Sequence, residues 1–424
     1  MKFKIVLGLI LILSWNKLFS QDVLYADNFV KFLSNNEYEK AYKCTDSVFK
    51  NKITEEKFQN IWNGVLAVNG DLKEYSFNCA LNNFEYYTCV FKNSIVDLKI
   101  ILSNTNQVKS FFLVPIFECE NKIEKQNFLE NKIEIQSDTF TISASLIEAN
   151  SDIKVICIFI QGSGPSDRDE TIGPNKPIKD LAYGLGKKGI SSIRFDKRTF
   201  TYKNLDSNIT IKDEVIEDVL AVIDFIKENN NYNNYKLYLI GHSLGGMLAP
   251  KIATISHKVD GIIYLAANSR PLEKLIETQT KYIFNYDNHL SNEETIYLKS
   301  LDNKLGYLND SLKLSSPTHK LPLGIPASYW LSLINYNQVE VASQLDIPML
   351  FLQGKRDYQV TNYDFCGWKK RLGKKKNVSF KRYKNLNHIF LEGKTKSHPN
   401  EYLISKKVPS YVINDISKWI LKKI

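Results

Sequence analysis

Long apolar runs are scarce in this 424-residue chain. The run at 5–13 holds nine apolar residues, far short of the ~20 that a membrane-spanning helix needs. Internal repeats and low-complexity tracts are missing as well, which excludes a solenoid and a disordered scaffold. The single Gly162-Ser163-Gly164 is followed by neither GK[ST] nor G-x-G-x-x-G, and that removes a phosphate-cradling loop. Histidine is rare, at six residues, so any chemistry that needs an imidazole has few candidates. No cysteine lies near 14–21, which argues against a lipid-anchored precursor.

The chain opens with Lys2 and Lys4, the apolar run, polar Ser14 and Asn16, and then "LFSQD". That is the layout of a signal peptide over 1–20, cleaved near Ser20 or Gln21. We therefore expect an exported protein, periplasmic or secreted, with no stable membrane insertion after cleavage. An oxidising compartment gives weight to Cys44, Cys79, Cys89 and Cys119, which allow three pairings that the sequence leaves open. Cys157, inside "IKVICIFI", reads as a buried small hydrophobe.

The formal net charge of +10 is local, since 354–424 carry 18 Lys and Arg against 5 Asp and Glu. Lys369, Lys370, Arg371, Lys374, Lys375 and Lys376 have no interleaved aromatic stacking pattern. They read as a solvated helix face and loop, and no nucleic-acid partner is expected.

Two domains follow from the hydrophobic patterning. Over 21–120, Phe29, Val30, Leu33, Tyr38, Ala41 and Tyr42 keep a helical spacing broken at Asn35-Asn36. Phe58, Ile61, Trp62, Val65 and Leu66 form a second stripe that stops at Gly70. Four segments of period two follow, from "LKEYSFNCA" to "VKSFFLVP", and predict antiparallel strands. This is a small α+β domain without a catalytic constellation.

A charged, linker-like stretch at 121–131 precedes the larger domain, 131–424. It opens on a predicted hairpin, "KIEIQS" and "TFTISASLIEA". Continuous apolar strands then alternate with helices, one of them capped by Thr210 with Asp213 at its third position. That rhythm predicts a doubly wound, mostly parallel sheet covered on both faces. About 75 residues at 268–341 interrupt it, more than a βα connection needs. With its helical segments and the aromatic pair Tyr329 and Trp330, this interval predicts a helical cap over the carboxyl edge of the sheet.

One turn carries chemistry. In "KLYLIGHSLGG" an apolar strand runs into Gly241-His242-Ser243-Leu244-Gly245 and out into a helix. The glycines remove side chains that would clash in a sharp strand-to-helix bend, leaving Ser243 protruding beneath a helix N-terminus. A serine hydroxyl needs a base to take its proton and a carboxylate to orient the base. His388, in "NLNHIF" after the last apolar strand, suits the base, whereas His398 reads as an exposed loop residue. His242 precedes the serine within the bend and cannot fold back onto it. Asp357, in the turn of "LFLQGKRDYQV", suits the acid, while Asp364 falls inside the next helix. The oxyanion of an acyl transfer needs N–H donors, assigned to Leu244 and to Ser163 in "QGSGPSDRDE", with Gly162 second. Nearby Asp167, Arg168, Asp169, Glu170, Asp196, Lys197 and Arg198 are expected to brace the site through ion pairs.

"IGHSLGG", "LFLQGKRDYQV" and "NLNHIF" resemble the elbow, acid and histidine motifs of α/β-hydrolase serine esterases. "QGSGPSDRDETIGPNKPIKDLAYGLGKKGI" followed by "RFDKRT" is similar to an exported bacterial group with a small N-terminal domain of uncharacterised function. The resemblance implies hydrolysis of a small carboxylic ester by Ser243, Asp357 and His388, with no metal or organic cofactor. Gln161 stands where many lipases carry a histidine, which sets this loop apart from theirs. Two other readings compete. A serine peptidase or amidase could use the same triad, although no acidic pair for a substrate amine is evident in the leading domain. A binding protein on a hydrolase scaffold would have no need of all three side chains.

Overall fold

The computed structural model describes residues 26–81, 83–117, 127–202 and 208–423. The expected leader and the stretch 121–126 lie outside the described residues. The chain divides between residues 124 and 125 into two compact units.

In the first unit, helices Asp27–Ser34, Tyr38–Lys43, Ser47–Lys52 and Glu55–Asn69 precede four strands. The last helix starts where the Thr54 side chain accepts from the Lys57 N–H, and it ends at Gly70, whose φ of 78° few other residues tolerate. Strands β1 (Leu72–Leu81), β2 (Phe84–Phe91), β3 (Ile95–Leu102) and β4 (Val108–Val114) form an antiparallel sheet in sequence order. Phe29, Phe58 and Trp62 pack with Tyr87, Leu98 and Ile100 in its core. The helical stripe is narrower than its spacing predicts, because Ile61 is 44% exposed. Cys79 is disulfide-bonded, whereas Cys44 and Cys89 are free.

The second unit is built on eight strands: β5 (Phe128–Ser137), β6 (Phe140–Ala149), β7 (Val155–Ile160), β8 (Ser191–Phe195), β9 (Lys236–His242), β10 (Gly261–Leu265), β11 (Met349–Gly354) and β12 (Val378–Tyr383). Their order is β12-β11-β10-β9-β7-β8-β6-β5. Strands β7 to β12 are mutually parallel, and the β5–β6 hairpin closes one edge in antiparallel fashion. Strand β5 starts at Phe128, inside the stretch expected to be linker.

Strand β7 shows why the sheet is covered on both faces. All six residues are buried, with Ile156, Ile158 and Ile160 in one apolar cluster and Val155, Cys157 and Phe159 in the other. Each fully buried large side chain contributes about 1.5–3 kcal/mol. One face is covered by helices Glu217–Glu228, Leu244–Ser256 and Asn362–Leu372, the other by Pro177–Gly186 and Ser410–Leu421. Because β8 and β9 lie on opposite sides of β7, the strand order reverses there. Ligands of open parallel sheets bind outside the carboxyl ends at such a point.

The interval 268–341 is helical, with Leu272–Phe284, Asn292–Ser311, Ala327–Leu333 and Gln338–Ser343. Its own apolar cluster includes Ile276, Leu301, Leu305, Leu308 and Trp330. The second of these helices opens on a Ser291/Glu294 capping box. It runs past Gly306 to Ser311, since burying Leu308 outweighs the ~1 kcal/mol that a helical glycine costs. The helix ahead of β9 starts with a π-turn at Lys212–Ile216, where Asp213 accepts from the Thr210 N–H at 2.8 Å. Basic Lys369, Lys370 and Arg371 occupy the last turn of Asn362–Leu372, where cations suit the helix dipole, and Arg371 pairs with Glu340 at 2.9 Å.

Candidate active site

Ser243 sits at the end of β9 with φ 51° and ψ −116°. A non-glycine residue in that region costs about 1–3 kcal/mol and persists only where its surroundings hold it. Here the Ser243 N–H donates to Leu265 O at 2.9 Å and the Met247 N–H donates to Ser243 O at 2.9 Å. The glycines matter by contact: a Cβ on Gly245 would lie 2.4 Å from Ile160 O, and one on Gly241 2.6 Å from the Gly245 carbonyl carbon. The bend therefore packs directly on the end of β7, with Ile160 paired to Gly241.

The expected acid and base meet. Asp357 follows β11, and its Oδ2 lies 2.8 Å from His388 Nδ1. The same oxygen accepts from Gln353 Nε2 at 2.9 Å, and Oδ1 accepts from the N–H groups of Gln359 and Val360 at 2.8 and 2.9 Å. These bonds orient the carboxylate, which in turn fixes the imidazole ring and directs its proton to Nδ1. Asp364, the rival acid, is buried in an ion pair with Arg270 at 2.7 Å. His398 accepts from the Asn400 N–H at 3.2 Å and serves its own loop.

After β7 the chain turns through Gly162, Ser163 and Gly164. The Gly162 N–H donates to Glu170 Oε1 at 2.6 Å and the Gly164 N–H to Glu214 Oε1 at 2.8 Å. Between them, the Ser163 N–H donates to no other described residue, and neither does the Leu244 N–H at the start of its helix. Gly162, the second choice for an oxyanion donor, is thus committed elsewhere. Gln161 is buried and braces the turn from below, donating to Phe195 O and Asp167 O.

His242, which the sequence excludes as the base, has a different role in the structure. Its Nδ1 lies 2.9 Å from Glu170 Oε1 and its Nε2 3.0 Å from the His388 carbonyl oxygen. Both ring nitrogens face acceptors, which only the doubly protonated ring satisfies. Burial disfavours that charge, yet the Glu170 carboxylate, by charge and hydrogen bond, and the His388 carbonyl raise the pKa above the ordinary imidazole value. Burial likewise favours a neutral Glu170, but the charge and hydrogen bond of His242 and the Gly162 N–H hold it below the ordinary carboxylate value. The pair ties three loops together: the turn after β7, the Ser243 bend and the His388 loop.

Most of the other charged residues also meet as ion pairs: Arg168 with Asp196 at 2.6 Å, Arg198 with Asp218 at 2.6 Å, and Asp169 with Arg194, whereas Asp167 accepts instead from the Thr171 N–H at 2.8 Å and the Thr171 hydroxyl at 2.6 Å and closes its own turn. Lys197 pairs with Glu214 at 2.8 Å, and Tyr329 donates to Glu214 Oε2 at 2.6 Å. The first of these joins the two charged segments directly.

Comparison with known proteins covers most of the chain. A family model described as "Serine aminopeptidase, S33" matches residues 176–394, and one described as "Protein of unknown function (DUF3887)" matches 26–111. Esterase EstD of Thermotoga maritima is 33% identical over 402 residues, covering 93% of this chain and 94% of the relative. The chain belongs to the α/β-hydrolase esterases. Among solved structures, esterase Pf2001 of Pyrococcus furiosus aligns with 73% of this esterase and 96% of its own chain (TM-score 0.45, 13% identity). Est1E from Butyrivibrio proteoclasticus aligns with 69% and 98% (TM-score 0.45, 16% identity).

Proposed function

We propose that this esterase is a serine carboxylesterase for short or medium acyl chains, with Ser243 as nucleophile, His388 as general base and Asp357 as its orienting acid. The observation that carries the reading is the buried Asp357–His388 hydrogen bond of 2.8 Å, together with a strained serine bend whose His242 reaches the His388 carbonyl.

Ser243 Oγ attacks the ester carbonyl carbon as His388 Nε2 takes its proton. The carbonyl oxygen becomes an oxyanion, stabilised by the N–H groups of Ser163 and Leu244. Collapse of the tetrahedral intermediate breaks the bond to the alcohol, which leaves with the proton from His388 and an acyl group on Ser243. Water then attacks with His388 again as base, releasing the acid and restoring the serine. The N-terminal sequence supports export to the periplasm or medium.

The matching description of a serine aminopeptidase favours amide cleavage as a second reading. Comparing p-nitrophenyl butyrate with aminoacyl p-nitroanilides separates the two. For the triad, the test is Ser243→Ala in the full chain. Ester turnover is expected to fall by about 10⁶-fold, to the residual level seen without a nucleophile; turnover that survived would refute the assignment.

A further inference from the structure

We infer that Lys197 is a positioning residue for this reaction, holding the turn after β7 so that the Ser163 N–H is aimed at the oxyanion. The inference rests on the esterase reading above. Lys197 lies just beyond the end of β8 and is 1% exposed. Its ammonium donates to Gly162 O at 2.5 Å, Gly164 O at 3.1 Å and Glu214 Oε1 at 2.8 Å, which uses all three of its protons.

The geometry of one peptide unit turns this grip into an aim. In a planar trans peptide the carbonyl of residue 162 and the N–H of residue 163 point in opposite directions. Fixing the Gly162 carbonyl on Lys197 therefore directs the Ser163 N–H away from Lys197. The flanking peptides cannot rotate to compensate, because Glu170 holds the Gly162 N–H and Glu214 holds the Gly164 N–H. A cation on the carbonyl also polarises the same peptide and makes its N–H a stronger donor.

A purely stabilising role explains the arrangement less well. A buried ion pair is often no better for stability than apolar residues of the same volume, and two of the three bonds here end on the backbone of a single turn. The pair is also anchored from the helical interval. Tyr329, in Ala327–Leu333, donates to the second oxygen of Glu214 at 2.6 Å. Burial favours a neutral Glu214, but the charge and hydrogen bond of Lys197, with hydrogen bonds from Tyr329 and the Gly164 N–H, hold its pKa below the ordinary carboxylate value.

The test compares full-length wild type with Lys197→Met on p-nitrophenyl butyrate and with an alkyl trifluoromethyl ketone, which adds to the serine to form an oxyanion. Losing one oxyanion donor costs about 10²–10³-fold in kcat, so kcat should fall by roughly 10²-fold while KM changes little. Affinity for the ketone should weaken by the same factor as kcat/KM. Unchanged kcat, or a rise in KM with ketone affinity intact, would overturn the proposal. If Lys197→Met fails to fold, Tyr329→Phe serves instead: loss of one hydrogen bond predicts a kcat roughly three- to tenfold lower, again matched by the ketone. No change in either quantity overturns the proposal. Fluorophosphonate labelling of the wild type separates the two levels of inference. A wild type labelled at Ser243 beside an unaffected Lys197→Met refutes only the positioning role; a wild type that does not label refutes the esterase reading and this proposal with it.

Discussion

Replacing Glu170 with Gln removes one charge from a buried pair and leaves His242 with one proton too few for its surroundings. Glu170 Oε1 now accepts from the Gly162 N–H at 2.6 Å and from His242 Nδ1 at 2.9 Å, while His242 Nε2 faces the His388 carbonyl at 3.0 Å. A neutral imidazole has a single N–H. In the variant, His242 either gives up the His388 carbonyl or takes a donor from the new amide, which then turns its oxygen away from Gly162. Breaking a buried pair in this way costs about 3–5 kcal/mol.

The cost should depend on pH with a sign set by both partners. His242 has a raised pKa, so its contribution is complete below the ordinary value of 6.5 and is lost as pH rises through the folded value. Glu170 has a lowered pKa, so its contribution is present above the ordinary value of 4.5 and is lost as pH falls through the folded value. The stability gap between wild type and Glu170→Gln should be widest between those two ordinary values and narrow under alkaline conditions. Thermal unfolding of both full-length proteins at about pH 5.5, 7.5 and 9.5 measures it. A gap independent of pH, or none, would refute the ion-pair account.

Two further substitutions probe the site. Asp357→Asn places an amide against His388 Nδ1 and favours the wrong tautomer, so kcat on p-nitrophenyl acetate should fall by about 10⁴-fold with the fold retained; a loss below tenfold would exclude Asp357 as the orienting acid. Gly245→Ala forces a methyl to within 2.4 Å of Ile160 O and 2.6 Å of Gln161 O, and it should destabilise the protein by about 1–3 kcal/mol or more. Wild-type melting in that variant would contradict the packing described for the bend.

The three motif loops were legible in the sequence because each is a local event. An apolar strand ends, a polar or glycine-rich turn follows, and a chemically distinct side chain stands in it. Strand β7 was legible for the same reason, since burial on both faces demands a continuous apolar run. What escaped was the set of partners joined through space. Glu170 meets His242 across 72 residues, and Tyr329 meets Glu214 across 115. No periodicity encodes those distances, although an acidic residue in the loop after β7 and a histidine at the end of β9 were a usable hint. Spacing also overstated the helical stripe at Ile61, because a regular interval does not say how wide the covering sheet is. Cysteine pairing was left open for the same reason: sequence order does not set the separation on which a disulfide depends.

The central claim is that Ser243 alone carries the acyl group, and covalent mapping tests it most directly. The purified full-length protein is treated with a fluorophosphonate and the adduct located by peptide mass spectrometry. One adduct is expected, on Ser243, and Ser243→Ala should carry none. An adduct on another residue, or an unlabelled protein that still hydrolyses p-nitrophenyl butyrate, would contradict the account.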